Sequence, residues 1–296
     1  MKTKTVKGNW SLRTNKLSFP YVFLVCIFFF LAGFFGFTLF SHSQGDGHSL
    51  RPRPRPRPRL LESAEAEYNL MPVGDLGDDS ITSIPFQVLS WKPRALYFPN
   101  FATAEQCESI IEVAKDGLKP STLALRKGET EENTKGIRTS SGVFISASED
   151  KTGTLSVIEE KIARATMISR THGEAYNILR YEVGQRYNSH YDAFNPTEYG
   201  PQKSQRMASF LLYLTDVQEG GETMFPFENG RNMDGNYGYE DCIGLRVKPR
   251  QGDGLLFYSL LPNGTIDPTS LHGSCPVIKG EKWVATKWIR DQEQDD

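Results

Sequence analysis

The chain has 296 residues, with 34 Lys and Arg against 36 Asp and Glu, so its formal net charge is −2. The balance is uneven, because residues 1–59 carry +9 and the remaining 237 carry −11. An acidic main body lacks the basic face that phosphates demand, which excludes a nucleic-acid binder, and 38% hydrophobic with 11% aromatic residues exclude a wholly disordered chain.

Nine of the 18 phenylalanines lie between Phe19 and Phe40, and residues 17–40 hold no charged side chain. As a helix this run spans roughly 36 Å, enough for a hydrocarbon core of about 30 Å. It is longer than the apolar region of a cleaved signal peptide, and no Ala-x-Ala site follows Phe40. A retained transmembrane signal anchor is expected. Lys2, Lys4, Lys7, Arg13 and Lys16 precede it, so the tail 1–16 is expected in the cytosol and the body in the lumen. The resulting expectation is a single-pass type II protein of the endoplasmic reticulum membrane, with the Golgi as the alternative. The chain ends Gln294-Asp295-Asp296, without a Lys-Asp-Glu-Leu-type signal, so retention is assigned to the anchor, the stem or a partner.

Residues 41–84 are a stem. Its stretch 51–59 alternates Arg and Pro, which blocks helix and sheet pairing and favours an extended polyproline II rod. A stiff solvated spacer is favoured over a basic patch for anionic headgroups or an acidic partner.

The body, 85–296, is long enough for one domain with its own core. Trp91–Phe98 is expected as a strand. Thr103 with Gln106 makes a capping box, and Cys107, Ile110, Ile111 and Ala114 keep helical spacing until Gly117 and Pro120. A second amphipathic helix fits about 152–170, with Leu155, Ile158, Ile162, Ala165 and Ile168 inside and Gly173 as its stop. Strands then follow at Asn177–Val183, Met207–Leu214, Gly244–Pro249, Gly254–Ser259 and Trp283–Arg290. Helices followed by short strands indicate an α+β arrangement, with helices packed on a sheet sandwich or barrel.

Of the five histidines, His42 and His48 sit in the stem and His172 near the end of the second helix. His190 and His272 remain. If the chain is extended at His190-Tyr191-Asp192, positions i and i+2 present an imidazole and a carboxylate together. A second imidazole from His272 completes a two-His, one-carboxylate set with open positions, which suits non-haem Fe(II). Ten residues past His272, Lys282 opens an apolar strand on which Lys282, Val284, Thr286 and Trp288 share a face. A lysine facing inward needs an anionic partner, and a dicarboxylic cosubstrate supplies one.

These residues carry a resemblance. Arg138-Thr139-Ser140-Ser141-Gly142, Leu179-Arg180-Tyr181, His190-Tyr191-Asp192, Glu219-Gly220-Gly221-Glu222-Thr223 and Leu271-His272-Gly273-Ser274-Cys275-Pro276 together resemble the plant and algal prolyl 4-hydroxylases, within the 2-oxoglutarate/Fe(II) dioxygenases. The resemblance covers about 85–292. It implies a double-stranded β-helix (jelly roll) with flanking N-terminal helices, and hydroxylation of peptidyl proline coupled to oxidative decarboxylation of 2-oxoglutarate. It also implies Fe(II), O2 and L-ascorbate as cofactors and proline-rich proteins as substrates, with the oligomeric state left open. By matching motif, His190, Asp192 and His272 bind iron and Lys282 the far carboxylate of 2-oxoglutarate. Tyr213 and Thr286 support that carboxylate, while Tyr187, Arg206 and Trp288 contact the peptide. The family often has His shortly after the final tryptophan, where this chain has Arg290. The segments Arg138–Gly142 and Glu228–Tyr239 are expected as loops closing over the peptide. Alternatives are a lysyl hydroxylase of the same superfamily and a catalytically silent lumenal binding module.

Two covalent features are expected in an oxidising lumen. Asn263-Gly264-Thr265 is the glycan acceptor of the body, since Asn195-Pro196-Thr197 is blocked by proline and Asn9 faces the cytosol. Cys26 lies in the span and Cys107 on the inward helix face, leaving Cys242 and Cys275 in turn-rich segments as the expected disulfide. Two free thiols there are the alternative.

Overall fold

The computed structural model describes residues 27–29 and 83–294. The expected cytosolic tail, most of the membrane span and nearly all of the stem lie outside the described residues. Among the described residues no helix is long and apolar enough to cross a membrane.

The body opens with β1 (Gln87–Trp91) and β2 (Arg94–Phe98), an antiparallel hairpin in place of the single strand expected over Trp91–Phe98. The reason is Pro93, which has no N–H for a ladder and sits in the turn. Helix α1 (Ala104–Ala114) starts as its cap dictates: Thr103 Oγ1 accepts from Gln106 N at 3.2 Å, and Gln106 Oε1 accepts from Thr103 N at 3.0 Å. Cys107, Ile110 and Ala114 face inward. Short β3 (Lys119–Pro120) and β4 (Ser141–Ile145) follow, then α2 (Thr154–Thr166), which buries Leu155, Ile158 and Ile162. It stops well short of Gly173. Met167 takes the left-handed position (φ 58°) that glycine usually fills, and a short turn over Arg170–His172 bridges to Gly173.

The remaining chain is mostly strand: β5 (Tyr176–Tyr181), β6 (Tyr187–His190), a helical turn α3 (Pro196–Tyr199), β7 (Arg206–Tyr213), β8 (Glu219–Gly220), β9 (Thr223–Phe225), β10 (Leu245–Val247), β11 (Gly254–Tyr258), β12 (His272–Ser274), β13 (Val277–Lys279) and β14 (Lys282–Arg290). Eight strands form one sheet in the order β1-β2-β11-β7-β14-β5-β4-β3, four form a second in the order β10-β9-β12-β6, and β8 pairs with β13. Every pairing is antiparallel.

Alternation along β7 and β14 divides the interior in two. Ala208, Phe210 and Leu212, with Trp283, Ala285 and Ile289, pack under α1 and α2. Leu211, Tyr213 and Val284 point the other way, into a core shared with Phe225 of β9 and Val247 of β10. The architecture is therefore a two-sheet sandwich with helices covering the outer face of the larger sheet. Lys282, Thr286 and Trp288 lie on the same side of β14 as Val284, the side turned toward the smaller sheet.

Candidate active site

His190 ends β6 and His272 begins β12, and the two are direct partners in the antiparallel ladder. Such partners have Cβ atoms about 5 Å apart, so register alone brings the imidazoles together. Their ring centroids are 4.4 Å apart. Each Nδ1 is bonded to a carbonyl two residues upstream, Asn188 O at 2.9 Å and Ser270 O at 3.0 Å. A carbonyl only accepts, so each Nδ1 carries the proton and each Nε2 offers a lone pair. Those Nε2 atoms lie 3.5 and 3.6 Å from Oδ1 and Oδ2 of Asp192.

Asp192 comes just after β6, where the chain has turned, so the pair is not a simple i, i+2 pair within a strand. It is buried, and Ser209 Oγ of β7 donates to its Oδ2 at 2.5 Å. Burial alone raises the Asp192 carboxyl, but the neighbouring His272 and His190 imidazoles and the Arg206 guanidinium outweigh it and hold the group far below the usual carboxylate range. His272 is lowered to about 4, mainly by burial, and is neutral at physiological pH. Two free imidazole lone pairs and one ionised carboxylate within 4.8 Å of one another are a donor set that fits Fe(II). The grouping of Glu222 with Cys242 and Cys275 does not compare, because the two sulfurs are joined in a disulfide with Cα atoms 5.4 Å apart.

Lys282 is fully buried on the inner face of β14. Its Nζ donates to Ser274 Oγ at 2.9 Å and lies 5.3 and 5.8 Å from the ring centroids of Tyr181 and Tyr213. Among the described residues no carboxylate comes within ion-pair distance of it. Burial lowers its pKa to about 7, against the opposing charge of Glu222. An ammonium held by one neutral hydroxyl and aromatic faces fits an incoming carboxylate. Burial pushes the Tyr213 phenol up, so it remains a neutral donor, bonded to Thr223 Oγ1 at 2.9 Å. Thr286 departs from expectation. Four residues along the strand from Lys282 it stands about 13 Å away at ordinary strand rise, too far to join Lys282 at the same carboxylate.

A cavity of about 720 Å³ opens beside His190 and Asp192, with Tyr187, Arg206 and Trp288 all in its wall. Tyr187 stacks on His190, with centroids 3.7 Å apart and planes 19° from parallel. The Arg206 guanidinium lies 3.5 Å above the Trp288 ring and is tied at 2.7 Å to both oxygens of Glu174. Arg290 does not line the cavity; it bonds Glu174 at 2.7 Å and Ser204 at 2.9 Å. Burial opposes ionisation of Glu174, but the two arginines outweigh it and keep the carboxyl low.

The two expected loops are more structured than their composition indicates. Arg138 bridges to Tyr187, and Ser141 already belongs to β4. From the second stretch only Tyr239 reaches the cavity, where its carbonyl accepts from Ser189 N at 2.7 Å. Sequence reasoning missed Ser209, Ser274 and Phe144, the last of which lines the cavity with its ring centroid 6.2 Å from that of Trp288. A lone serine in the apolar run Met207–Tyr213 was one available signal. Ser274, two residues from His272 on the same strand face, was another.

A family model described as 2OG-Fe(II) oxygenase superfamily matches residues 176–290. The chain is 68% identical to "Probable prolyl 4-hydroxylase 9" of Arabidopsis thaliana over 97% of this chain and 98% of that protein. It is 57% identical to "Prolyl 4-hydroxylase 13" of the same organism, over 96% and 98%. A viral collagen prolyl hydroxylase from Paramecium Bursaria Chlorella virus-1, solved as its 2OG complex, is similar at 24% identity and TM-score 0.48, covering 66% of this chain and 95% of that one.

Proposed function

The chain belongs to the prolyl 4-hydroxylases of the 2OG-Fe(II) oxygenase superfamily, and from that premise we propose that it hydroxylates C4 of peptidyl prolines in proline-rich secretory or cell-wall proteins. Its reaction uses Fe(II), 2-oxoglutarate and O2, and L-ascorbate is assigned to it with the family. In this reading His190, Asp192 and His272 hold the iron and Lys282, with Tyr213, holds the far carboxylate of 2-oxoglutarate. When bound, iron and 2-oxoglutarate together supply the activated oxygen.

The chain's own side chains supply binding and orientation. The Nδ1 bonds fix both imidazoles in the tautomer that can ligate, and Ser209 fixes the plane of the carboxylate. Tyr187, stacked on His190, shields that ligand from water and offers an aromatic face for a pyrrolidine ring. Trp288, backed by Arg206, offers a second. A proline-rich peptide is already extended, so it fits such a groove with little ordering. The sandwich is read as the double-stranded β-helix of the family.

The single observation that carries the reading is the meeting of two imidazole Nε2 atoms with both oxygens of one buried carboxylate, in a body whose buried Lys282 pairs with no carboxylate among the described residues. Incubating the chain with Fe(II), 2-oxoglutarate, O2 and a proline-rich peptide tests it. Succinate should form in step with a 4-hydroxyproline located by mass spectrometry. Hydroxylation on lysine, or no succinate, would sink it.

The type II topology in the endoplasmic reticulum, with the span at 17–40 and the stem at 41–84, belongs to the same proposal. Asn263 is exposed, and its Oδ1 accepts from Thr265 N at 3.1 Å and Thr265 Oγ1 at 2.7 Å, so the acceptor is open to a lumenal transferase. A glycosidase-sensitive mass shift that disappears in Asn263→Gln supports this placement, and one that persists overturns it.

A further inference from the structure

Sheet pairing stops at the end of β6, and Asp192 sits on the irregular stretch that follows. Backbone groups leaving a ladder need new partners if the segment is to hold one position. At Phe194, two residues past Asp192, a single side chain supplies both. The Gln205 carboxamide accepts from Phe194 N at 2.9 Å and donates to Phe194 O at 2.7 Å. Only a primary amide offers a donor and an acceptor in this side-by-side arrangement without ionising.

Gln205 is itself anchored. Its N–H donates to Asp291 Oδ1 at 2.8 Å, and its carbonyl accepts from Asp291 N at 3.0 Å, which ties it to the end of β14. The next residue, Arg206, stands 5.1 Å from the Phe194 ring on one side and 3.5 Å from Trp288 on the other. The corner of Gln205 and Arg206 therefore grips the segment that bears Asp192 and the wall of the cavity at once.

We infer that Gln205 is a positioning residue for Asp192, clamping the Phe194 backbone so that the carboxylate stands where His190 and His272 require it. The inference rests on the iron assignment made above. Losing a partner bonded directly to a ligand typically weakens metal affinity about 10- to 100-fold, and Gln205, which acts through the Phe194 backbone, is expected at the lower end of that range.

The test is a titration of the purified full chain with Co(II) alone, followed by its visible absorption. Gln205→Ala should weaken Co(II) binding about tenfold or more while circular dichroism stays that of the wild type. Gln205→Glu keeps the length and can still accept from Phe194 N, but its carboxylate cannot donate to Phe194 O. It should bind Co(II) with intermediate affinity, and it carries the test if the alanine variant does not fold. A purely structural role would lower the melting temperature and leave Co(II) affinity alone. Binding within twofold of wild type in the folded variants overturns the inference. Asp192→Ala in the same titration separates the two ideas: unchanged Co(II) binding there removes the iron assignment itself.

Discussion

His190 and His272 are cross-strand partners whose protonated nitrogens both turn outward, to Asn188 O and Ser270 O, so that both bare nitrogens turn inward to one carboxylate. The arrangement needs three strands' worth of register to be right, and no other His, Cys, Asp or Glu among the described residues joins the cluster. His190→Ala, Asp192→Ala and His272→Ala should therefore each abolish turnover while leaving the circular dichroism spectrum unchanged. Retention of more than about a tenth of the activity, equivalent to only about 1.4 kcal/mol of barrier, would contradict the iron assignment.

Lys282 gives a pH dependence whose sign can be worked out. Its folded pKa is lowered to about 7 by burial, whereas the unfolded group titrates near 10.5. Between those values the unfolded chain binds the extra proton, so this group's penalty on stability is full below pH 7 and is relieved as pH rises toward about 10.5. Binding of 2-oxoglutarate runs the other way, because the carboxylate prefers the ammonium. Affinity should fall by up to about tenfold per pH unit above 7, with proton uptake on binding, readable by calorimetry in buffers of different ionisation enthalpy. Lys282→Ala should chiefly raise the KM for 2-oxoglutarate, and Lys282→Arg should rescue in part, since charge is kept but shape is not. A pH-independent affinity would count against the role.

Glu174 is shared between Arg206 and Arg290. Glu174→Gln removes the charge that both guanidiniums hold, which frees Arg206 from its place over Trp288. The KM for peptide should rise several-fold while that for 2-oxoglutarate stays put. An equal rise in both would assign Glu174 to general stability.

The disulfide joins residues 33 apart in sequence. Replacing Cys242 and Cys275 by Ser should cost roughly 4 kcal/mol in denaturant unfolding by the chain-entropy model. Peptide mapping without reduction should recover the linked pair, and alkylation of both thiols beforehand would exclude it.

Much of this site was legible before any coordinates, because its chemistry rests on scarce residue types. Five histidines leave few choices, and Lys282 stands out at the head of an apolar strand. The capping box of α1 was readable because it is closed within four residues. What the sequence hid depends on distant contacts. Ser209 reaches Asp192 only because β7 runs beneath it, and Gln205 reaches Phe194 across a gap no local pattern announces. The expected strand Trp91–Phe98 contains β2 but misses most of β1, because nothing local marks Pro93 as a turn with a partner strand before it, and α2 ends early at a left-handed methionine, which is not an expected stop. Thr286 shares a face with Lys282 but not its neighbourhood, because the strand is nine residues long.

In its proposed role the buried Lys282 ammonium would touch only the end of 2-oxoglutarate that the reaction leaves untouched. Succinate, the spent acid, keeps that end intact, so the lysine grips product and cosubstrate alike. Discrimination falls to the opposite end, where a keto acid can chelate and a plain carboxylate cannot. Succinate should therefore compete with 2-oxoglutarate in steady-state kinetics, and Lys282→Ala should blunt that competition in proportion to its loss of cosubstrate affinity. A noncompetitive pattern would argue otherwise. A site that holds both acids by one lysine makes turnover depend on the ratio of 2-oxoglutarate to succinate rather than on 2-oxoglutarate alone.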